Sequence, residues 1–467
     1  MAATQIDALL PQADPAPIDV LLAGQLAVRR SNAVLAVDYA ERVMADKRAK
    51  PYEILSAAIL VLSITTPESP PHAVAWKRIE DLAHDPRNVA SLDALVFLAN
   101  QQSLAPPSKT RNDTSFSLGI GAAPQPTTTI GPVEVANALE KHPDARPYHQ
   151  LLALQLRVQH DPALTDQYVA DAIERFGKGD DETLVALAAW LNRVGRARKT
   201  LELLPLDRAL KRQNLYLQHI NALAALERWN EVKEVLTSER FPLEPVFQHM
   251  YLATARTRLG EATAATNEWN RALEAANTPE KLLALASYAE QNHANDIADA
   301  AYSEAIKLAP QNRAAHAGRL RVAEAAGHTA EAQTVTAEIV QLWPDDAAAR
   351  NEDAYLRLLL GASDGAAEAA EREAQVLVAQ EPSNWAARAT LGLARLRLGR
   401  KEDALKAFRD VRATGSEPPG ALAVRAAILA VNGYEEGARG DARNLGAEHL
   451  LPEERALIAP LLAARQE

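Results

Sequence analysis

The segment PSNWAARATLGLARLRLGRKEDALKAFRDVRATGSEP, residues 382–418, spells two helices and a turn. After Pro382, Ser383 is a good N-cap residue. Ala387, Leu391, Ala394 and Leu398 then recur three or four apart, the spacing that puts side chains on one helical face. Gly399 ends that helix, because glycine takes the left-handed conformation without a Cβ penalty. Lys401, Glu402 and Asp403 open a second helix with Ala404, Leu405, Phe408 and Val411 on its inward side. Gly392 and Ala404 are small enough to let the two axes approach, and Phe408 fills the space beyond. Helices this short are marginal alone in water, so the hairpin requires neighbours stacked on both sides.

The neighbours are present at a period near 34 residues. Ala298, Tyr302, Ala305 and Pro310 repeat the second helix; Gly327, Ala332, Ile339 and Pro344 repeat it again. Gly260, Ala265, Trp269 and Ala272 form a further copy, and Gly195 with Leu204 a weaker one. Pro310, Pro344 and Pro382 punctuate successive units at intervals of 34 and 38. On Leu391, Gly392, Gly399, Ala404 and Phe408 the chain resembles the tetratricopeptide repeat family, most clearly over residues 180–435.

The resemblance implies an all-α, right-handed superhelical solenoid of antiparallel helix pairs that binds protein partners and has no catalytic role. It also implies that the first helix of each pair lines a concave groove. The fifth and ninth repeat positions there are Val185 and Ala189, Leu217 and Asn221, Met250 and Thr254, Leu283 and Ser287, Ala317 and Arg321, Asn351 and Tyr355, then Ala389 and Leu393. Asn221, Met250, Thr254, Ser287, Arg321, Asn351 and Tyr355 are the candidate contacts for a partner's peptide or helix. The Lys and Asn pairing that clamps chaperone tail carboxylates is absent from these positions, which argues against a co-chaperone.

Along the chain, residues 1–17 are expected to be disordered, since Pro11, Pro15 and Pro17 interrupt any regular pattern. Degenerate helical repeats are expected over 18–102, the repeat array over 132–435 and capping helices over 436–467, with Glu453, Glu454, Arg455 and Arg465 giving the array a polar outer end. Residues 103–131, rich in Pro, Ser, Thr and Gly, read as a loop or linker. Within it Phe116, Leu118 and Ile120 alternate with small polar residues, a pattern that suits either a plain tether or an extended segment able to reach the array's own groove.

With 467 residues and 48% hydrophobic content the chain exceeds one compact core, and a stack of repeats resolves that. The net charge of −11 opposes nucleic-acid binding, which demands a basic face. The absence of cysteine excludes disulfides, thiolate zinc sites and cysteine nucleophiles. Ile54–Ile64 is too short an apolar run to span a bilayer, and the first residues lack a basic segment followed by an apolar one, so no signal peptide or membrane insertion is expected. Abundant Ala with Arg over Lys is associated with GC-rich bacterial genomes, so a soluble bacterial protein, cytoplasmic or periplasmic, is expected.

No phosphate-binding, zinc-protease or serine-hydrolase motif is present, and no cofactor is expected. Glu290, His293, Asp296 and Asp299 have metal-ligand spacing, but His293 falls where other repeats place the helix-ending glycine, so no metal site is expected. Arg439, Gly440 and Asp441 spell an integrin-type tripeptide, a pattern that arises readily by chance, and Asn112 to Thr114 form a glycosylation sequon that a bacterial reading makes idle. The six tryptophans read as core packing. The function read from these features is a scaffold or adaptor. The alternatives are a component of a bacterial envelope, secretion or polysaccharide-export assembly, and an α/α-toroid carbohydrate-active enzyme, which would need paired carboxylates among clustered aromatics.

Overall fold

Eight residues with positive φ mark the period of the chain: Gly195, Glu227, Gly260, His293, Gly327, Gly361, Gly399 and Gly433, at intervals of 32, 33, 33, 34, 34, 38 and 34. Each lies in a tight turn between two helices, and the turn backbone is fixed by a bond to a carbonyl of the preceding helix, as from the Arg400 amide to Arg395. Glycine takes this conformation at no cost at six of the eight positions, while Glu227 and His293 adopt it with φ of 57° and 59°.

The computed structural model describes residues 14–30, 32–65, 69–104, 129–238, 240–361, 363–413, 417–443, 445 and 450–463. Among these every regular element is a helix, and the chain divides into two compact units, the division falling at Glu268 and Trp269. The first unit contains the pairs α1 (Pro17–Arg29) with α2 (Ala33–Ala45), α3 (Pro51–Ile64) with α4 (Pro70–His84), and α5 (Ser91–Leu104) with α6 (Pro132–Lys141). It continues with α7 (Pro147–His160) and α8 (Thr165–Phe176), α9 (Asp181–Arg193) and α10 (Ala197–Leu203), a short α11 (Leu206–Ala209), α12 (Gln213–Ala225) with α13 (Trp229–Thr237), and α14 (Pro245–Arg258). Helix α15 (Ala262–Ala275) contains the division.

The second unit contains α16 (Pro279–Gln291) with α17 (Asn295–Leu308), α18 (Arg313–Ala325) with α19 (Thr329–Leu342), α20 (Ala347–Leu359) with α21 (Asp364–Gln380), α22 (Trp385–Arg397) with α23 (Lys401–Lys406), α24 (Pro419–Val431) with α25 (Glu435–Arg443), and α26 (Pro452–Ala463). Within it each second helix packs against the first helix of the next pair, and first helices touch one another directly, α20 with α22 and α22 with α24. The interval of 38 has a plain cause: α21 has 17 residues where α17 and α19 have 14, about one extra turn.

Three first helices of the second unit begin alike. Asn312, Asp346 and Asn384 each accept a bond from the amide three residues on, at 3.2, 3.0 and 2.9 Å. The N-cap of the last is therefore Asn384 and not Ser383, because the amide side chain reaches the Ala387 N–H from the residue just outside the helix. A second device repeats with it. Six residues after each punctuating proline a basic side chain returns to that proline's carbonyl: His316 Nε2 to Pro310 at 3.0 Å, Arg350 to Pro344, and Arg388 Nε to Pro382 at 2.6 Å. A carbonyl stranded between two helices is thereby satisfied.

In the pair that opened the sequence reading, the second helix is shorter than its spacing predicts. It ends at Lys406; Phe408 lies in the turn that follows, and Asp410 has φ of 66°. The buried Arg388 guanidinium replaces the missing helical partners by donating to the carbonyls of Ala407 at 2.5 Å and Arg409 at 3.2 Å. Phe408 still reaches the core, and a Cβ on Gly392 would stand 2.9 Å from its ring and 2.8 Å from Ile428. Ala404 is fully buried in the same cluster. Ala404→Leu is accordingly expected to overpack this site and lower stability by about 1–3 kcal/mol, with Arg412→Ala as a near-neutral surface control. Equal melting temperatures for Ala404→Leu and the parent would contradict the packing.

Candidate partner-binding face

In the first unit, Asn221 is exposed on α12, whereas Met250 and Thr254 are buried on α14. The Thr254 hydroxyl donates to the Met250 carbonyl at 3.2 Å, so both side chains serve the repeat itself. Beside them Glu268, 5% exposed, pairs with His249 at 2.7 Å and Arg256 at 3.3 Å, and Arg256 and Lys233 both pair with Glu261. A separate cleft of about 720 Å³ is lined by His72, Trp76, Glu80, His84, Thr129 and Glu134. Its buried Glu80 is already spoken for, accepting from Trp76 Nε1 at 3.1 Å and from the Thr129 amide and hydroxyl at 2.8 and 2.5 Å. That clasp fastens the chain at residue 129 to α4. The apolar alternation at Phe116 to Ile120 and the sequon at Asn112 lie outside the described residues.

In the second unit, Ser287 is exposed on α16 next to exposed Ala284. Arg321 grips Glu290 with two bonds of 3.1 Å, and the Tyr302 hydroxyl donates to the same carboxylate at 2.9 Å. Burial and the adjacent carboxylate push the Tyr302 hydroxyl well above its usual range. Glu290 is therefore a structural partner, and Asp299 is likewise held by Arg319 at 3.0 Å. Among the described residues no group of three or more His, Asp or Glu is arranged to hold a metal ion. The integrin-type tripeptide is not displayed either: Arg439 pairs with Glu435 at 2.7 Å and Asp441 is buried near Arg425.

Asn351 and Tyr355 are the most informative of the predicted positions, because both are buried, at 5% and 1% exposure. Helix α26 covers Tyr355. Its Glu454 accepts from the Tyr355 hydroxyl at 2.7 Å and from the Leu451 amide at 2.9 Å, and Glu453 accepts from the Thr329 hydroxyl. Pro452 rests on the Gly327 turn, and Gly420 lets Glu454 approach so closely that a Cβ there would stand 2.0 Å from its oxygen. Leu451 and Leu457 join the core around Tyr355, while Leu450 and Ile458 pack with Ala423 and Ala426 of α24.

This corrects the expectation that Glu453 and Glu454 form a polar outer end. Glu454 is 4% exposed and faces inward, because α24 is apolar on nearly every side and has to be covered on the face its neighbouring pair leaves open. Under α26 lie two more carboxyl groups. Burial, then the charge of Glu454, pushes Glu324 up to about 8, with Arg321 opposing; burial and the other two carboxylates push Glu352 well above the usual carboxylate range. Glu454 is raised by burial despite its two hydrogen bonds. Both carboxyl oxygens of Glu324 are buried without a hydrogen-bond partner.

No family model matches this sequence, and no curated protein matches it either. Solved structures do match. A tetratricopeptide repeat protein from Parabacteroides merdae ATCC 43184 aligns at TM-score 0.36 and 15% identity, covering 58% of this chain and 99% of that one. The repeats of this chain are helix pairs whose left-handed turns recur about every 34 residues. Yeast Tom70 aligns at 0.34 and 14% over 92% of both chains, and the Cut9–Hcn1 hetero-tetramer of the APC/C at 0.31 and 13% over 99% of this chain and 92% of that chain. Among the described residues no helix is long and apolar enough to cross a membrane.

Proposed function

We propose that this tetratricopeptide-like chain is a non-catalytic scaffold or adaptor whose first helices form a face that accepts a helix or peptide of a protein partner. The observation that carries the reading is the seat of α26: the first-helix face of the second unit already holds a helix through Tyr355, Gly420 and the apolar surface of α24. The net charge of −11 supports a protein partner over a nucleic acid. Exposed Ala284 and Ser287 continue the same kind of face on α16.

Affinity capture from a lysate of the source organism tests this reading, using the parent chain and a Ser287→Arg variant. Ser287 is exposed, so the variant is expected to fold as the parent does while losing the specific partner. Identical captured proteins for both chains would remove α16 from the binding face, and a salt-sensitive complex with duplex DNA or RNA would contradict the protein-binding reading.

A further inference from the structure

Helix α26 has the marks of a guest on the second unit. Its apolar side is complementary to the host: Leu451 and Leu457 meet the cluster around Tyr355, and Ile458, 1% exposed, meets Ala423 and Ala426. Its acidic residue is read specifically, since Glu454 lies between the Tyr355 hydroxyl and the first turn of α24, where Gly420 supplies the clearance and the helix dipole favours an anion. Yet its own helical hydrogen bonding is interrupted, because Pro460 inside it cannot donate to the preceding turn. The seat is also poor in polar partners: Glu324 and Glu352 share it with Glu454, and Glu324 has no hydrogen-bond partner for either oxygen. Apolar complementarity thus holds α26 in place against a poorly matched polar floor.

We propose that α26 is an internal stand-in for the partner, and that the partner displaces it with a helix of the same pattern. The pattern is an apolar pair, an acidic residue three positions later, and apolar residues three, four, seven and eight positions beyond, as in Leu450, Leu451, Glu454, Leu457, Ile458, Leu461 and Leu462. This deepens the proposed function and rests on it. A partner helix that lacks the interior proline and adds a basic residue able to reach Glu324 would bind better than the resident.

A fluorescein-labelled peptide of residues 450–463 serves as the probe, titrated against the full chain and its Ile458→Asp variant. The buried carboxylate introduced by that substitution undocks the resident helix, so the peptide is expected to bind the variant at least tenfold more tightly than the parent, and a peptide carrying Glu454→Lys is expected to bind neither. Equal affinity for parent and variant, or no binding to a variant whose circular dichroism matches the parent, overturns the proposal. So does global unfolding of the variant, which would make α26 part of the unit's indispensable core. Hydrogen exchange on the unmodified chain decides independently: amides of residues 455–459, 461 and 462 are expected to exchange at least tenfold faster than those of 422–430, and equal protection overturns the proposal. The peptide assay does not use Ser287, so its failure is separable from failure of the lysate capture.

Discussion

Gly318→Ala is expected to destabilise the second unit by about 3 kcal/mol, the upper end of the usual range for overpacking a filled core. Gly318 is buried on α18 directly beneath the Tyr302 ring of α17, and an added Cβ would lie 2.2 Å from its Cζ. The ring cannot swing aside freely. Its hydroxyl donates to Glu290, which Arg321 grips with two bonds, so a displaced ring breaks a partly buried polar network as well as the packing. Tyr302→Leu is the informative companion, because it relieves the clash while forfeiting the hydroxyl. In thermal unfolding the double variant should be less impaired than the sum of the singles, since the two sites touch. Additive losses would place the two side chains out of contact.

The repeat was legible in the sequence because its turns are marked locally. A left-handed turn selects glycine, a helix stop selects proline, and both recur at about 34 residues. Where the chain departs from that marking the signal weakens, as at Glu227 and His293, which take the left-handed conformation without being glycine. Other features rest on side chains returning to backbone across a turn. The basic residue six positions after each proline can be counted in the sequence, but its purpose appears only when His316, Arg350 and Arg388 are seen on the carbonyls of Pro310, Pro344 and Pro382.

The candidate face was legible only in part, because its cover comes from far along the chain. Tyr355 and Glu454 are 99 residues apart, and Thr329 and Glu453 are 124 apart. Reading repeat positions one at a time assigns Asn351 and Tyr355 to a groove lining without showing that their own chain lies over Tyr355. One local signal did exist. Helix α24, PGALAVRAAILAV, is apolar around almost its whole circumference, which a helix exposed on one side does not tolerate, and it announces that a further element must cover it.

The cover carries a pH dependence opposite to that of an ordinary acidic surface. The groups that face one another are Arg321 and Glu324 from α18, Glu352 and Tyr355 from α20, and Glu453, Glu454 and Arg455 from α26. Glu324 is held at about 8 in the folded chain against 4.5 when unfolded, and Glu352 and Glu454 shift in the same direction. Folding at this site takes up protons, so its contribution to stability is fully present below about pH 4.5 and is lost as pH rises through 8. Asp46, Asp180, Glu261 and Asp403 shift the other way through hydrogen bonds and ion pairs, and what they contribute is lost only as the solution becomes strongly acidic. Between pH 5 and 9 the buried cluster therefore sets the difference between the parent and Glu324→Gln. The variant is expected to be more stable at pH 9 by roughly 2–4 kcal/mol, with the gap closing toward pH 5, because the amide never has to ionise in that site. Urea unfolding followed by tryptophan fluorescence at a series of pH values measures the gap. A gap that stays constant across the series would mean that Glu324 is not the group whose ionisation opposes the seating of α26.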